Sequence, residues 1–243
     1  MEKKNRVYSY EFSNYGDKPV GVQVEISNWT KDENNKMVLI PSEPDSFDQW
    51  IIATPVDFTV PPNGRQVVRF TVRPAVELSE GEHHAAFVFK ERLLQDTITE
   101  KREDDLVIRN LFEIKSAVYA EVGEVTRSGN FTEFALSENG FLTNIQSLGN
   151  GHVRPSGRFQ IWESGRFPGK ESALRIDPES TEKPDGLVYL SRLRKGSVLG
   201  GQTKWLRHSL SNLELEKGAY QVFLYGYLGD RSFEEVVALS VSN

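Results

Sequence analysis

The chain predicts an all-β fold of two immunoglobulin-like β-sandwich domains in tandem. Short apolar/polar alternations recur along nearly all of its 243 residues, turn residues punctuate them, and no stretch carries a convincing helical period. Hydrophobic residues make up 38% and charged residues 26%, a balance that can bury a real core.

The first alternation, Val7 to Ser13, sets Tyr8, Tyr10 and Phe12 against Ser9 and Glu11. Beyond the turn-rich Asn14-Tyr15-Gly16-Asp17-Lys18-Pro19 comes Val20 to Ile26, with Val20, Val22, Val24 and Ile26 on one face. Two such runs joined by a Gly/Asp/Pro turn read as an antiparallel pair. Short strands follow near Met37 to Ile40 and at Ile51-Ile52-Ala53. Asp57-Phe58-Thr59-Val60 then meets Pro61-Pro62-Asn63-Gly64 and continues as Arg65 to Val72, which reads as a strand, a sharp corner and a strand. Ala85 to Glu91 resumes the alternation. A charged loop, Gln95 to Asp105, precedes a run from Leu106 to Val122 that is apolar at 106, 108, 112 and 114 and polar at Asn110.

The second half repeats the style with strands predicted at 117–125, 131–136, 142–148, 158–162, 187–190, 205–210, 220–227 and 236–241. Hairpin chemistry is read at Arg127-Ser128-Gly129-Asn130, Gly149-Asn150-Gly151 and Gly229-Asp230. Gly218-Ala219-Tyr220 opens a strand in the manner of a tyrosine corner. Val222 stands where antibody domains carry cysteine, and Trp162 is the candidate core tryptophan. The domain boundary is expected at 118/119, giving domains of 1–118 and 119–243.

The net charge of −6 and pI of about 5.4 argue against nucleic acid and anionic membranes as partners. No apolar run reaches the ~20 residues a membrane helix needs. Met1-Glu2-Lys3-Lys4-Asn5 leads into a strand without an apolar signal region, so an exported protein would have lost its signal. The absence of cysteine removes disulfides, thiolate nucleophiles and sulfur-bound zinc. His83, His84, His152 and His208 read as surface histidines and not as a metal set. No Gly-x-Ser-x-Gly elbow, thiol or marked acid/base pair is present, so a non-enzyme with no metal and no cofactor is expected. A carbohydrate-active enzyme built on distant carboxylates leaves no local signature and stands as a distant alternative.

The first half resembles the amino-terminal domain of the PapD-like periplasmic pilus (fimbrial) chaperones. The resemblance rests on Asp17-Lys18-Pro19-Val20-Gly21-Val22-Gln23-Val24, then Ile52-Ala53-Thr54-Pro55, then Phe58-Thr59-Val60-Pro61-Pro62-Asn63-Gly64-Arg65-Gln66-Val67-Val68-Arg69-Phe70, in that order and spacing. It covers roughly residues 7 to 120; the second half is similar in size and style only. The resemblance implies a boomerang of two sandwiches in the periplasm. It also implies a role: binding and capping incomplete immunoglobulin-like pilins by donor-strand complementation and delivering them to an outer-membrane usher.

By position the donor strand is 106–114, with Leu106, Ile108, Asn110, Phe112 and Ile114 facing the partner. Family members hold a carboxylate with two basic cleft residues. The chain begins at what resembles the family's second strand, so the first of these has no counterpart. Glu113 stands at the second, with Arg109 and Lys115 as the nearby basic candidates. A missing first strand would leave an open sheet edge through which a homodimer can form. The rival reading is a structural or adhesive cell-envelope protein of tandem sandwiches.

Overall fold

A computed structural model describes residues 7–94, 110–211 and 213–241. The chain divides into two compact units. One runs to Ala120 except for 31–36 and 80–82; the other comprises those two short segments and everything from Glu121 onward. Each is an immunoglobulin-like sandwich of antiparallel strands.

In the first unit, β1 (Tyr8–Ser13), β6 (Arg65–Val72) and β4 (Ile51–Thr54) form one sheet in the order β1-β6-β4. The facing sheet runs β3 (Met37–Ile40), β2 (Val20–Lys31), β7 (Gly81–Arg92), β8 (Glu113–Val122), with β5 (Asp57–Val60) also paired to β2. The inward faces meet in a core of Val22, Val24, Phe58, Val60, Val68, Phe70, Phe87 and Phe89. This core is closed at one end by Phe47 and Trp50 from a short 3-10 turn, Phe47–Trp50. Burial of these side chains contributes about 2 kcal/mol apiece.

The expected β1–β2 hairpin is not there. β1 pairs with β6, from Tyr8↔Phe70 to Ser13↔Arg65, while β2 pairs with β5 and β7. Both strands have an apolar inward row, which suits two facing sheets as well as two neighbours. The turn between them carries the chain across the sandwich, and the Pro61-Pro62-Asn63-Gly64 corner between β5 and β6 does the same. One buried residue joins the two crossings. The Asn14 side-chain amide donates to the carbonyls of Lys18 (2.7 Å), Val60 (3.2 Å) and Pro61 (3.1 Å), and its Oδ1 accepts from Gly16 N–H. The corner takes the residue types it needs: Asn63 sits at φ 54°, and a Cβ on Gly64 would lie 2.9 Å from the Pro61 carbonyl.

In the second unit, β9 (Gly129–Ser137), β10 (Gly140–Ser147) and β13 (Thr203–Ser209) form a sheet in the order β13-β10-β9. It faces a four-stranded sheet of β12 (Leu187–Arg192), β11 (Pro155–Glu163), β14 (Gly218–Leu228) and β15 (Arg231–Val241), in that order. Phe141, Phe159, Ile161, Val222 and Leu224 fill the space between.

Of the three predicted hairpins only Gly229-Asp230 is one, closing β14 on β15 with Leu228↔Arg231. Gly149-Asn150-Gly151 is a crossing from one sheet to the other, because β10 pairs with β9 and β13 whereas β11 pairs with β12 and β14. The 127–130 turn joins β8 to β9, which are not partners.

The tyrosine corner is present. Tyr220 is buried and its hydroxyl donates to the Glu216 carbonyl at 2.8 Å. Trp162 is buried but not between the sheets. Strand alternation points Phe159 and Ile161 inward and Gln160 and Trp162 to the opposite face. There Trp162 packs with Ala173, Leu187 and Phe223 beneath the short helix α1 (Lys170–Leu174). Gln160 ties helix to strand, its amide donating to Ala173 O (2.8 Å) and its Oε1 accepting from the Trp162 indole (3.0 Å).

Candidate functional site

β8 ends its sheet, so among the described strands only β7 borders it. Just before it, the Phe112 carbonyl accepts from Glu91 N–H of β7 at 3.0 Å, extending contact with β7 one residue ahead of Glu113.

The core-facing side of β8 sets its position. Phe112, Val118 and Ala120 pack on the first unit's core. Phe112 stacks on Phe12 at 5.8 Å between ring centroids, and Ser116 Oγ bonds the Tyr10 hydroxyl at 3.1 Å. The opposite face carries Tyr119 against Trp29, ring centroids 6.1 Å apart. β1, holding Tyr10 and Phe12, is itself the outer strand of the other sheet. Two strand edges therefore run beside each other along one seam of the first sandwich. Large apolar side chains stand exposed there: Val7 and Tyr8 at β1, Leu111 and Ile114 at β8, the last two each 51% exposed.

Of the residues expected to face a partner, Leu106 and Ile108 lie outside the described residues, as does Arg109. Asn110 is exposed and precedes the strand. Ile114 is an exposed strand residue. Phe112 is half-buried and already has a companion in Phe12. Lys115 is spoken for as well: its Nζ lies 3.0 Å from Glu113 Oε1, two residues away on the same strand face.

The histidines depart from the surface expectation. His208 is 2% exposed. Its Nδ1 accepts from Arg194 N–H (2.8 Å), which leaves Nε2–H to donate to Thr143 Oγ1 (3.1 Å). Burial, with the charge of Arg194 second, pushes its pKa from 6.5 down to about 4. His152 Nδ1 lies 2.7 Å from both carboxylate oxygens of Glu82, which also receives Arg127 at 2.9 Å. Burial alone would raise the Glu82 pKa, but the bonds from His152 and Arg127 outweigh it and hold the carboxyl below its usual 4.5. Sequence pattern gave no signal for this cluster, whose members stand 45 and 70 residues apart. Among the described residues no group of three His, Cys, Asp or Glu side chains is placed to hold a metal ion, and no helix is long and apolar enough to cross a membrane.

These features define a tandem immunoglobulin-like sandwich protein with a half-paired strand beside exposed apolar side chains. The sequence matches no family model and no curated protein. Solved structures to which the chain is similar include pilus chaperones at 9–13% identity. One is the YadV chaperone, 11% identical, with 96% of this chain and 92% of that chain covered and a TM-score of 0.47. Another is the CupB2 chaperone of Pseudomonas aeruginosa, 13% identical, with 98% and 93% covered and a TM-score of 0.44. A third is the Salmonella enterica SafA pilin in complex with the SafB chaperone, 11% identical, with 98% and 99% covered and a TM-score of 0.46.

Proposed function

We propose that the chain is a periplasmic chaperone for pilus or fimbrial subunits that works by donor-strand complementation. In this reading it lends a strand to an immunoglobulin-like subunit lacking one, caps it and delivers it to an outer-membrane usher. The observation that carries the reading is the edge of β8, which among the described strands only β7 borders. A strand bordered on one side has backbone N–H and C=O groups to share, and a subunit missing a strand has a groove of unpaired ones. Ile114 and Leu111 supply exposed apolar side chains at that edge. Backbone pairing gives attachment, and the side chains entering the groove give selectivity and most of the hydrophobic gain.

Phe112 is a poor position at which to test the proposal. Because it stacks on Phe12, its replacement would disturb the chaperone's own core along with capture. Ile114 is free of that difficulty. The Ile114→Asp variant should fold as the parent does and bind a strand-deficient pilin subunit at least about ten-fold more weakly, since a carboxylate would have to enter an apolar groove. Co-purification of the subunit at equal stoichiometry, followed by titration of the variant, measures this. Unchanged capture by the variant, or no capture by the parent, would leave the tandem sandwiches as a structural or adhesive element of the envelope.

A further inference from the structure

We propose that the second unit carries a binding site for a small multivalent oxyanion, a polycarboxylate or a phosphate, in the cleft beside Trp205. The cleft has a volume of about 420 Å3 and is lined by Lys36, Arg194 and Arg207, with Leu142 and Trp205 as its apolar side and Glu33 at its rim. All belong to the second unit, which includes the 31–36 turn. β10 and β13 place Leu142 opposite Arg207 and Asn144 opposite Trp205, so Leu142, Arg207 and the indole share one face of the sheet.

The charge distribution indicates what the cleft would take. The protein as a whole carries an excess of acids, 35 to 29, yet here the cations gather. Lys31, half-buried at the end of β2, has its pKa lowered to about 8 by burial first and then by the charges of Arg154 and Arg194. The Lys204 ammonium sits on the Lys31 carbonyl at 2.8 Å, on the face of β13 away from Trp205 and outside the cleft lining. None of Lys31, Lys36, Arg154, Arg194, Lys204 or Arg207 takes part in an ion pair among the described residues. Arg207 reaches only the side-chain carbonyl of Asn139. Of the acids on the 31–36 turn, Asp32 spends Oδ1 on the N–H groups of Asn34 and Lys36, and Glu33 is exposed at the rim.

Like charges held together repel. An oxyanion would relieve that repulsion, with guanidinium forks matching its paired oxygens and the indole covering its carbon skeleton or displaced water.

The protein carries its own reporter. Trp29, Trp50 and Trp162 are 2%, 6% and 1% exposed, whereas Trp205 is 37% exposed, so collisional quenching of tryptophan fluorescence reads Trp205. At fixed ionic strength the ratio of iodide to caesium quenching should be about three-fold higher than for free N-acetyltryptophanamide, the enrichment expected of a few screened positive charges. In Lys31→Gln/Arg194→Gln that ratio should fall toward the value for the free indole amide. Lys36→Gln, at an exposed position, is the fallback variant if near-ultraviolet circular dichroism shows the double variant misfolded.

Citrate and inorganic phosphate then serve as competitors. Protection of the indole from iodide by citrate at lower concentration assigns a polycarboxylate, and the reverse order assigns phosphate. In either case protection must be lost in the variant. An iodide-to-caesium ratio no higher than that of N-acetyltryptophanamide, or protection by neither anion beyond that of chloride, overturns the proposal.

Discussion

His208 shows how a single residue couples the second sandwich to pH. Its ring is sealed among Phe141, Phe159 and Thr143, with one nitrogen accepting from Arg194 and the other donating to Thr143. Both bonds require the neutral tautomer, because a protonated ring would present a second N–H to the Arg194 N–H. The folded pKa of about 4 against 6.5 for the free side chain fixes the sign of the effect. Between those values the unfolded chain holds a proton that the folded chain refuses. Stability is therefore fully present above pH 6.5, falls as the pH drops toward 4 and is level below it, a loss of about 3 kcal/mol. Urea unfolding followed from pH 7.5 to pH 4 should show this slope. His208→Gln should remove that component, while its plateau near neutral pH lies lower because the ring's packing is gone. An unchanged slope in the variant would assign the acid sensitivity to the carboxylates instead.

At the scale of elements, the four-stranded sheet of the second unit turns on a facing pair of glycines. Gly157 of β11 lies opposite Gly226 of β14, with φ of 142° and 144°. A Cβ on either would come within 2.0 Å of a backbone carbonyl across the ladder, that of Tyr225 or of Ser156. Gly226→Ala should thus destabilise the second unit by about 3 kcal/mol or more, through both the close approach and the positive φ. Thermal denaturation followed at the Trp162 side of the sheet measures it. An alanine tolerated at Gly226 would mean that the two central strands can move apart.

This pair also marks a limit of the sequence. Alternation in Tyr8–Ser13, Arg65–Val72 or Tyr220–Tyr227 was legible because a strand with one buried face must repeat every two residues. Partnership was not, since pairing is decided between segments far apart in the chain. The Asn14 turn and the Gly149-Asn150-Gly151 turn have hairpin composition, yet each carries the chain to the other sheet. The immunoglobulin pattern makes Trp162 the candidate core tryptophan, and only the inward parity of Phe159 and Ile161 shows that it is buried on the other face. At the candidate site a strand is legible in the alternation, but of the 106–122 run only Glu113–Val122 is strand, 110–112 precede it, and 106–109 lie outside the described residues. That Phe112 is engaged by Phe12 was not legible, because the engagement joins residues 100 positions apart.

For the whole molecule, the linear order of the chain and its division into units do not coincide. The natural place to cut is between 118 and 121, where strand pattern runs on without a linker, but the second unit also takes in 80–82. Glu82 is its most tightly held carboxylate, with a side chain 3% exposed. It accepts from the His152 ring and backbone N–H and from Arg127, which is itself bound to Glu121 at 2.6 Å. Next to it, the Glu82 N–H donates to Asn150 O at 3.0 Å.

A fragment of residues 121–243 keeps both sheets and both cores but loses this carboxylate. His152 would then lack its hydrogen-bond acceptor, Arg127 would lack a carboxylate that neutralises it in a partly buried setting, and the Asn150 carbonyl would lose a donor. The fragment should fold, yet be less stable than the same strands in the intact chain by about 2–4 kcal/mol. Native-state hydrogen exchange at β11 and β14, compared between fragment and full chain, reads the difference directly. Glu82→Gln in the full chain should reproduce most of the loss at neutral pH and little of it well below the depressed Glu82 pKa, where the wild-type carboxyl is itself protonated. Equal protection in fragment and full chain would show that the early segments lie on the second unit without stabilising it.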